Sequence, residues 1–153
     1  MLVSQLSRLY GYIPVMEYVQ VERCRKGDDG IWDILGYYER IPKLVCVCEP
    51  EIRKCINEIK EMCLREFNFL EEEESSILSE LAVRELVRLH EHSHALLHIC
   101  DFKGCVAPSH KWYSSLHPDI CEPLVEFISR AVVKRMNNNI FEKIFDWIDD
   151  KAP

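Results

Sequence analysis

LVRLHEHSHALLH, residues 86–98, decides how this chain is read: it carries histidines at 90, 92, 94 and 98 and spells H-E-x-x-H from His90 to His94. On a helix, residues four apart stand one turn above the other on the same side, so the His90 and His94 imidazoles can reach one ion. The residue after the first histidine leans towards the open side of that ion, where Glu91 can take a proton from water. At about 100° per residue, His90 and His94 continue a stripe formed by Val83, Leu86, Val87 and Leu97. Two ionisable rings in line with valines and leucines need polar partners, and a metal provides one for both. His92 points away from His94 and is expected at the surface or partly packed. His98, a turn beyond, is expected to support or pack rather than to bind.

A catalytic zinc site needs three protein ligands and an open position, so the third ligand must come from elsewhere. It does not come from an HExxHxxGxxH arrangement, because Leu97 stands where the glycine would be. The best source is Cys121 to Ile128 (CEPLVEFI), which offers two carboxylates, Glu122 and Glu126. On a helix, Glu126 shares a side with Arg130 and Lys134, the layout of an exposed ion-pair row. Glu122 lies nearer the apolar direction of Val125, Ser129 and Val133, which favours it as the ligand. Glu126 is the alternative third ligand if Pro123 is the first helical residue and Glu122 only a cap.

Outward from the motif, the helix is expected to begin at Ser75 or Ser76 as N-cap, with Glu71 to Glu74 as a solvated loop before it, and to end near His98 or Ile99. Tyr12 to Val21 and Ile41 to Cys48 are rich in β-branched and aromatic residues and predict strands, with RKGDDG between them as a turn. Tyr37 to Cys48 reads as one strand or a hairpin, Pro42 being tolerated at an edge. Pro50 opens a helix over about Glu51 to Phe67, with Ile52, Cys55, Ile56, Ile59, Met62 and Cys63 on one face. The segment from Asp101 to Asp119 reads as a long loop, of the kind that is usually functional inside a compact domain. A second helix follows from Pro118 or Pro123 to Met136, three asparagines break it, and Ile140 to Asp150 predicts an amphipathic helix packed on the domain.

HExxH followed about thirty residues later by a glutamate on a second helix resembles the gluzincin zinc metallopeptidases, as a minimal single-domain member. HEHSHALLH with the later EPLVEFI is similar to small proteins related to the ImmA/IrrE regulatory peptidases. The resemblance spans residues 37 to 136. It implies an α+β, zincin-like domain, in which a few-stranded sheet packs against the HExxH helix and the glutamate-bearing helix. It also implies an edge strand, Tyr37 to Cys48, that takes an extended peptide by strand addition. By the same resemblance His90, His94 and Glu122 hold Zn²⁺ and Glu91 is the general base. His110, Tyr113 and His117 in the long loop are the candidate donors to the transition-state oxyanion.

The whole chain sets the bounds. Its 153 residues suit one domain, with 1–50 mainly strands, 51–136 the helices of the metal site and 140–150 a terminal helix. A formal charge of −7 works against a polyanion-binding surface, so nucleic acid is not expected. No apolar run approaches the roughly 20 residues of a membrane helix, and MLVSQLSRLYGYIPV lacks the pattern of a secretion signal, so a cytoplasmic protein without a membrane partner is expected. The eight cysteines include no CxxC pair. Most are expected to be small buried hydrophobes, and a few disulfides fit a hyperthermophilic host, towards which the two glutamines and abundant Glu, Lys, Arg and Ile lean. The expected activity is hydrolysis of a protein or peptide substrate; the competing expectation is a protein-binding module with a structural zinc site.

Overall fold

The computed structural model describes residues 2–11, 17–21, 35–39, 44–66, 71–99 and 118–150. Its elements, in chain order, are α1 (Leu2–Tyr10), β1 (Glu17–Val21), β2 (Gly36–Glu39), β3 (Leu44–Cys48), α2 (Glu49–Glu66), α3 (Glu72–Ile99), α4 (Pro118–Met136) and α5 (Asn139–Asp150). Helix therefore dominates the described residues, and the expected α+β class is corrected to a helical domain with a minor sheet of strands only four or five residues long. Within residues 1–50, expected to be mainly strands, the stretch Leu2–Tyr10 is a helix. Leu2 and Leu6 are spaced four apart and both are fully buried, the pattern of one helical face. Gly11, at φ 65°, ends α1 by donating its N–H to the Ser7 carbonyl at 2.8 Å.

Helix α3 is the axis of the molecule. Its core residues include Val83, Leu86, Val87, Leu89, Leu96 and Leu97, which lie on more than one side, and every residue from Leu89 to Leu97 is buried. Such a helix is covered all round instead of along one stripe. α2 runs antiparallel to it, fastened at one end by a bidentate pair in which Arg84 grips the buried Glu49 carboxylate and at the other by the Ser75 hydroxyl donating to the Lys60 carbonyl. The Leu2 backbone N–H donates to Glu85 at 3.1 Å, which anchors α1 on α3. The helix begins three residues before the expected Ser75 cap, so Glu72 to Glu74 form its first turn, where carboxylates oppose the positive end of the dipole.

The three strands lie in the order β1-β3-β2, with β3 parallel to β1 and antiparallel to β2. Tyr37 to Cys48 is thus a hairpin-like pair, and its second half is the central strand while its first half is an edge. Val45 to Cys48 are all buried, as suits a strand with a neighbour on each side. β2 packs directly on α3. A Cβ on Gly36 would lie 2.7 Å from the Cys46 carbonyl oxygen, 2.9 Å from Val87 and 3.5 Å from the Glu91 side chain, so only glycine permits this approach.

α4 starts at Pro118, the earlier of the two expected starts, with Pro123 inside it. Asn137, at φ 50°, breaks it, and the Asn138 side chain accepts from the N–H groups of Ile140 and Phe141 to cap α5. Phe141, Ile144, Phe145 and Ile148 then seal α5 to the core, as its periodicity predicts. Cys46, Cys55, Cys63 and Cys121 are buried free thiols, and Cys48 is disulfide-bonded. No helix of the described residues is long and apolar enough to cross a membrane.

The tight seat of β2 gives a direct test. Gly36→Ala forces a methyl group against a backbone carbonyl that cannot swing aside, and should destabilise the protein by about 1–3 kcal/mol in urea unfolding, the usual cost of overpacking. An unchanged midpoint would show that strand and helix are not so closely apposed.

Candidate metal centre

Starting α4 at Pro118 puts Glu122 in the second helical turn, with an orientation fixed by the helix and not by a flexible cap. It faces α3 where the two helices cross. Its two oxygens divide between the histidines: Oε2 lies 3.4 Å from His90 Nε2 and Oε1 lies 3.0 Å from His94 Nε2. The crossing is held nearby by the Ser93 hydroxyl, which donates to the Leu89 carbonyl at 2.8 Å and sits 3.2 Å from the Ser129 hydroxyl. Both serines are small and fully buried, so the backbones can come close enough for Glu122 to span the gap.

His90, His94 and Glu122 each offer one ligand atom, and these atoms lie within 4.8 Å of one another. Atoms about 2.0–2.2 Å from one tetrahedral ion stand about 3.3–3.6 Å apart, so contacts of 3.0 and 3.4 Å need little adjustment to take one. The rings meet edge to face with centroids 5.0 Å apart, which lets both Nε2 atoms converge on the carboxylate. Two neutral nitrogens and one carboxylate suit zinc, as they suit other divalent transition metals.

Burial and mutual contact set the protonation states. Burial pushes His90 down to about 4, helped by the charge on His94 and opposed by Glu122. Burial works against a charged His94 too, but contacts with Cys121 and Glu122 and the charges of Glu91 and Glu122 outweigh it and raise its proton affinity. Burial likewise opposes the Glu122 carboxylate, and the two histidines overcome it and hold it well below the usual carboxylate range. In the metal-free protein the site is therefore a His94 imidazolium paired with the Glu122 carboxylate beside a neutral His90. A metal bound through His94 Nε2 would have to displace the proton carried there.

Glu91 is 2% exposed, stands near enough to His94 for its charge to act there, and has its side chain against the Gly36 position of β2. The glutamate of the motif thus lies between the His90, His94 and Glu122 cluster and the edge strand. Glu126 does not join the cluster: it lies 3.6 Å from Arg130 and shares a hydrogen bond with Asp149, which with burial lifts it to about 7 against the pull of Arg130. Arg130 also grips Asp146 and Asp149 and lies over the Phe145 ring at 4.8 Å, so this end of α4 ties down α5. His110, Tyr113 and His117 lie outside the described residues, as do RKGDDG and the long loop up to His117. His98 falls in the last turn of α3.

Two residues escaped the sequence reading. His92 is 4% exposed, not at the surface; the signal was Leu89 and Leu96, which give α3 a second apolar side opposite the metal ligands. Cys121 places its sulfur 3.8 Å from His94 Nδ1, the ring nitrogen turned away from Glu122. Its signal was the spacing Cys121, Val125, Ile128 and Val132, which sets it on the buried stripe of α4.

Burial and the charge of Arg88 also push His92 down to about 4. A histidine kept neutral by the fold takes up its proton on unfolding, so His90 and His92 contribute stability above their unfolded value near 6.5 that is lost as pH falls towards 4. His94 and Glu126, whose proton affinities the fold raises, work the other way, Glu126 adding stability as pH falls from about 7 towards 4.5, while Glu122, held low, loses its contribution as pH falls. Chemical denaturation of metal-free protein should therefore show that His92→Gln loses less stability than wild type as pH falls from 6.5 to 4; an equal pH dependence in the variant would contradict it. In comparisons with protein-family models, with curated proteins and with solved structures, nothing matches this chain.

Proposed function

We propose that this protein is a zinc-dependent peptidase that hydrolyses a peptide bond in a protein substrate, in the cytoplasm. The observation that carries the reading is the convergence of His90, His94 and Glu122 from two helices, with Glu91 of the same H-E-x-x-H beside it. This is the ligand and base set of the gluzincins, which the sequence resembles. The formal charge of −7 works against a nucleic-acid surface, and a disulfide at Cys48 beside four buried free thiols fits a cytoplasmic protein of a hyperthermophilic host.

His90, His94 and Glu122 would hold the ion. A zinc ion there supplies Lewis acidity and makes water ionisable near neutral pH. Glu91 accepts the proton of the attacking water on its carboxylate and passes it to the departing amine nitrogen. Its burial excludes competing solvent and keeps that carboxylate close to the reacting atoms. β2 ends the sheet order, so a substrate strand added along it would run past Glu91 beside Gly36.

Zinc titration with a chromophoric competitor tests the site. The wild type should bind one equivalent and His90→Ala/His94→Ala none. Glu122→Ala should weaken binding by more than the about 10- to 100-fold that loss of an outer contact costs, whereas Glu126→Ala should leave it close to wild type. Cleavage is tested with an internally quenched random peptide library. Glu91→Gln should retain zinc and lose activity by about 100-fold or more, the scale of general-base catalysis. Wild-type turnover in that variant would remove Glu91 from the mechanism. Zinc binding without cleavage of any library member would instead support the binding module with a structural zinc site.

A further inference from the structure

On the far side of His94 from Glu122, the Cys121 sulfur lies 3.8 Å from Nδ1, and both side chains are buried. Cys121 directly precedes Glu122 on α4, so one helical turn touches both edges of the same imidazole. A ring ligating through one nitrogen must carry its proton on the other, and that N–H is normally received by a carboxylate, a backbone carbonyl or water. Here the group facing it is a sulfur. The two ring nitrogens diverge, so an ion between Nε2 and Glu122 lies away from Cys121, and the thiol is not one of the atoms that converge there.

We propose that Cys121 is the positioning residue for His94, its sulfur accepting the Nδ1 proton and so presenting Nε2 to the metal. The proposal rests on the metal-centre reading, and makes α4 supply both a ligand and the support for a ligand on α3. A thiol is a weak acceptor, so it fixes the tautomer and the ring plane while adding less basicity than a carboxylate would.

The test is zinc affinity by chelator competition together with ¹⁵N-imidazole NMR of the zinc-loaded protein. Cys121→Ala should weaken zinc by about tenfold or more. Cys121→Asn, whose amide oxygen reaches the same place, should recover most of that loss, and Cys63→Ala, a buried thiol elsewhere in the core, should change nothing. In the zinc-loaded protein the His94 Nδ1–H signal should shift and exchange faster with water in Cys121→Ala than in wild type, and stay as in wild type in Cys63→Ala, a change that loss of packing alone would not produce. Alanine binding as tightly as wild type, or a proton found on Nε2, overturns the proposal. A thiolate-to-metal charge-transfer band with cobalt that vanishes in Cys121→Ala also overturns it, by making Cys121 a ligand. Should the wild type bind no zinc through His90 and His94, the metal-centre reading falls and this proposal with it. Zinc lost only in the histidine variants and kept in Cys121→Ala removes this proposal alone.

Discussion

Two buried imidazoles meet one half-buried carboxylate where α3 crosses α4, and the rings would not tolerate that place without a polar partner. A buried charge without a partner costs several kcal/mol, and a buried neutral polar group without one still costs about 1–3. Glu122 answers both histidines at once, and they in turn keep it ionised. This mutual dependence fixes the rotation of each helix about its own axis. A turn of α4 that withdrew Glu122 would also withdraw Cys121 from His94 and separate Ser129 from Ser93.

Around that crossing the remaining elements cover the sides of α3. α1 is tied by its first N–H to Glu85, α2 by Glu49 and Ser75, and the hairpin of β2 and β3 comes in at Gly36 against Val87 and Glu91. The sheet is too small to be an independent layer, and β2 packs on the helix as well as pairing with β3. Helix burial thus does the structural work that a larger sheet would do in an α+β domain.

What the sequence made legible was whatever depends on local spacing. The four-residue interval of His90 and His94, the proline opening α4, the apolar face of α2 and the stripe of α5 are all periodic features, and each corresponds to an element in the structure. The choice between Glu122 and Glu126 was also local, because it turned on which neighbours share a side of the helix; in the structure Glu122 faces the histidines and Glu126 faces Arg130 and Asp149. What was not legible depends on partners distant in the chain. Strand propensity in Tyr12 to Val21 drew attention away from the helical spacing of Leu2 and Leu6, so the fold class was misjudged. His92 was read from its angle to His94 alone, without the elements that close over the other side of α3. Cys121 gave no chemical signal in the sequence, because its meaning comes from a ring twenty-seven residues earlier in the chain.

Pro123 sits one residue after Glu122, exposed, within the second turn of α4. Lacking an N–H, it leaves the carbonyl of residue 119 without its usual partner and loosens the first turn from the rest of the helix. His90 and His94, by contrast, sit deep in α3, in a stretch that opens only when the core opens. The three ligand positions are therefore unequally backed: Glu122 stands directly after the loosened first turn of α4, while the imidazoles sit within the unbroken ladder of α3. An ion held here would have its weakest backbone support on the α4 side and its firmest on α3.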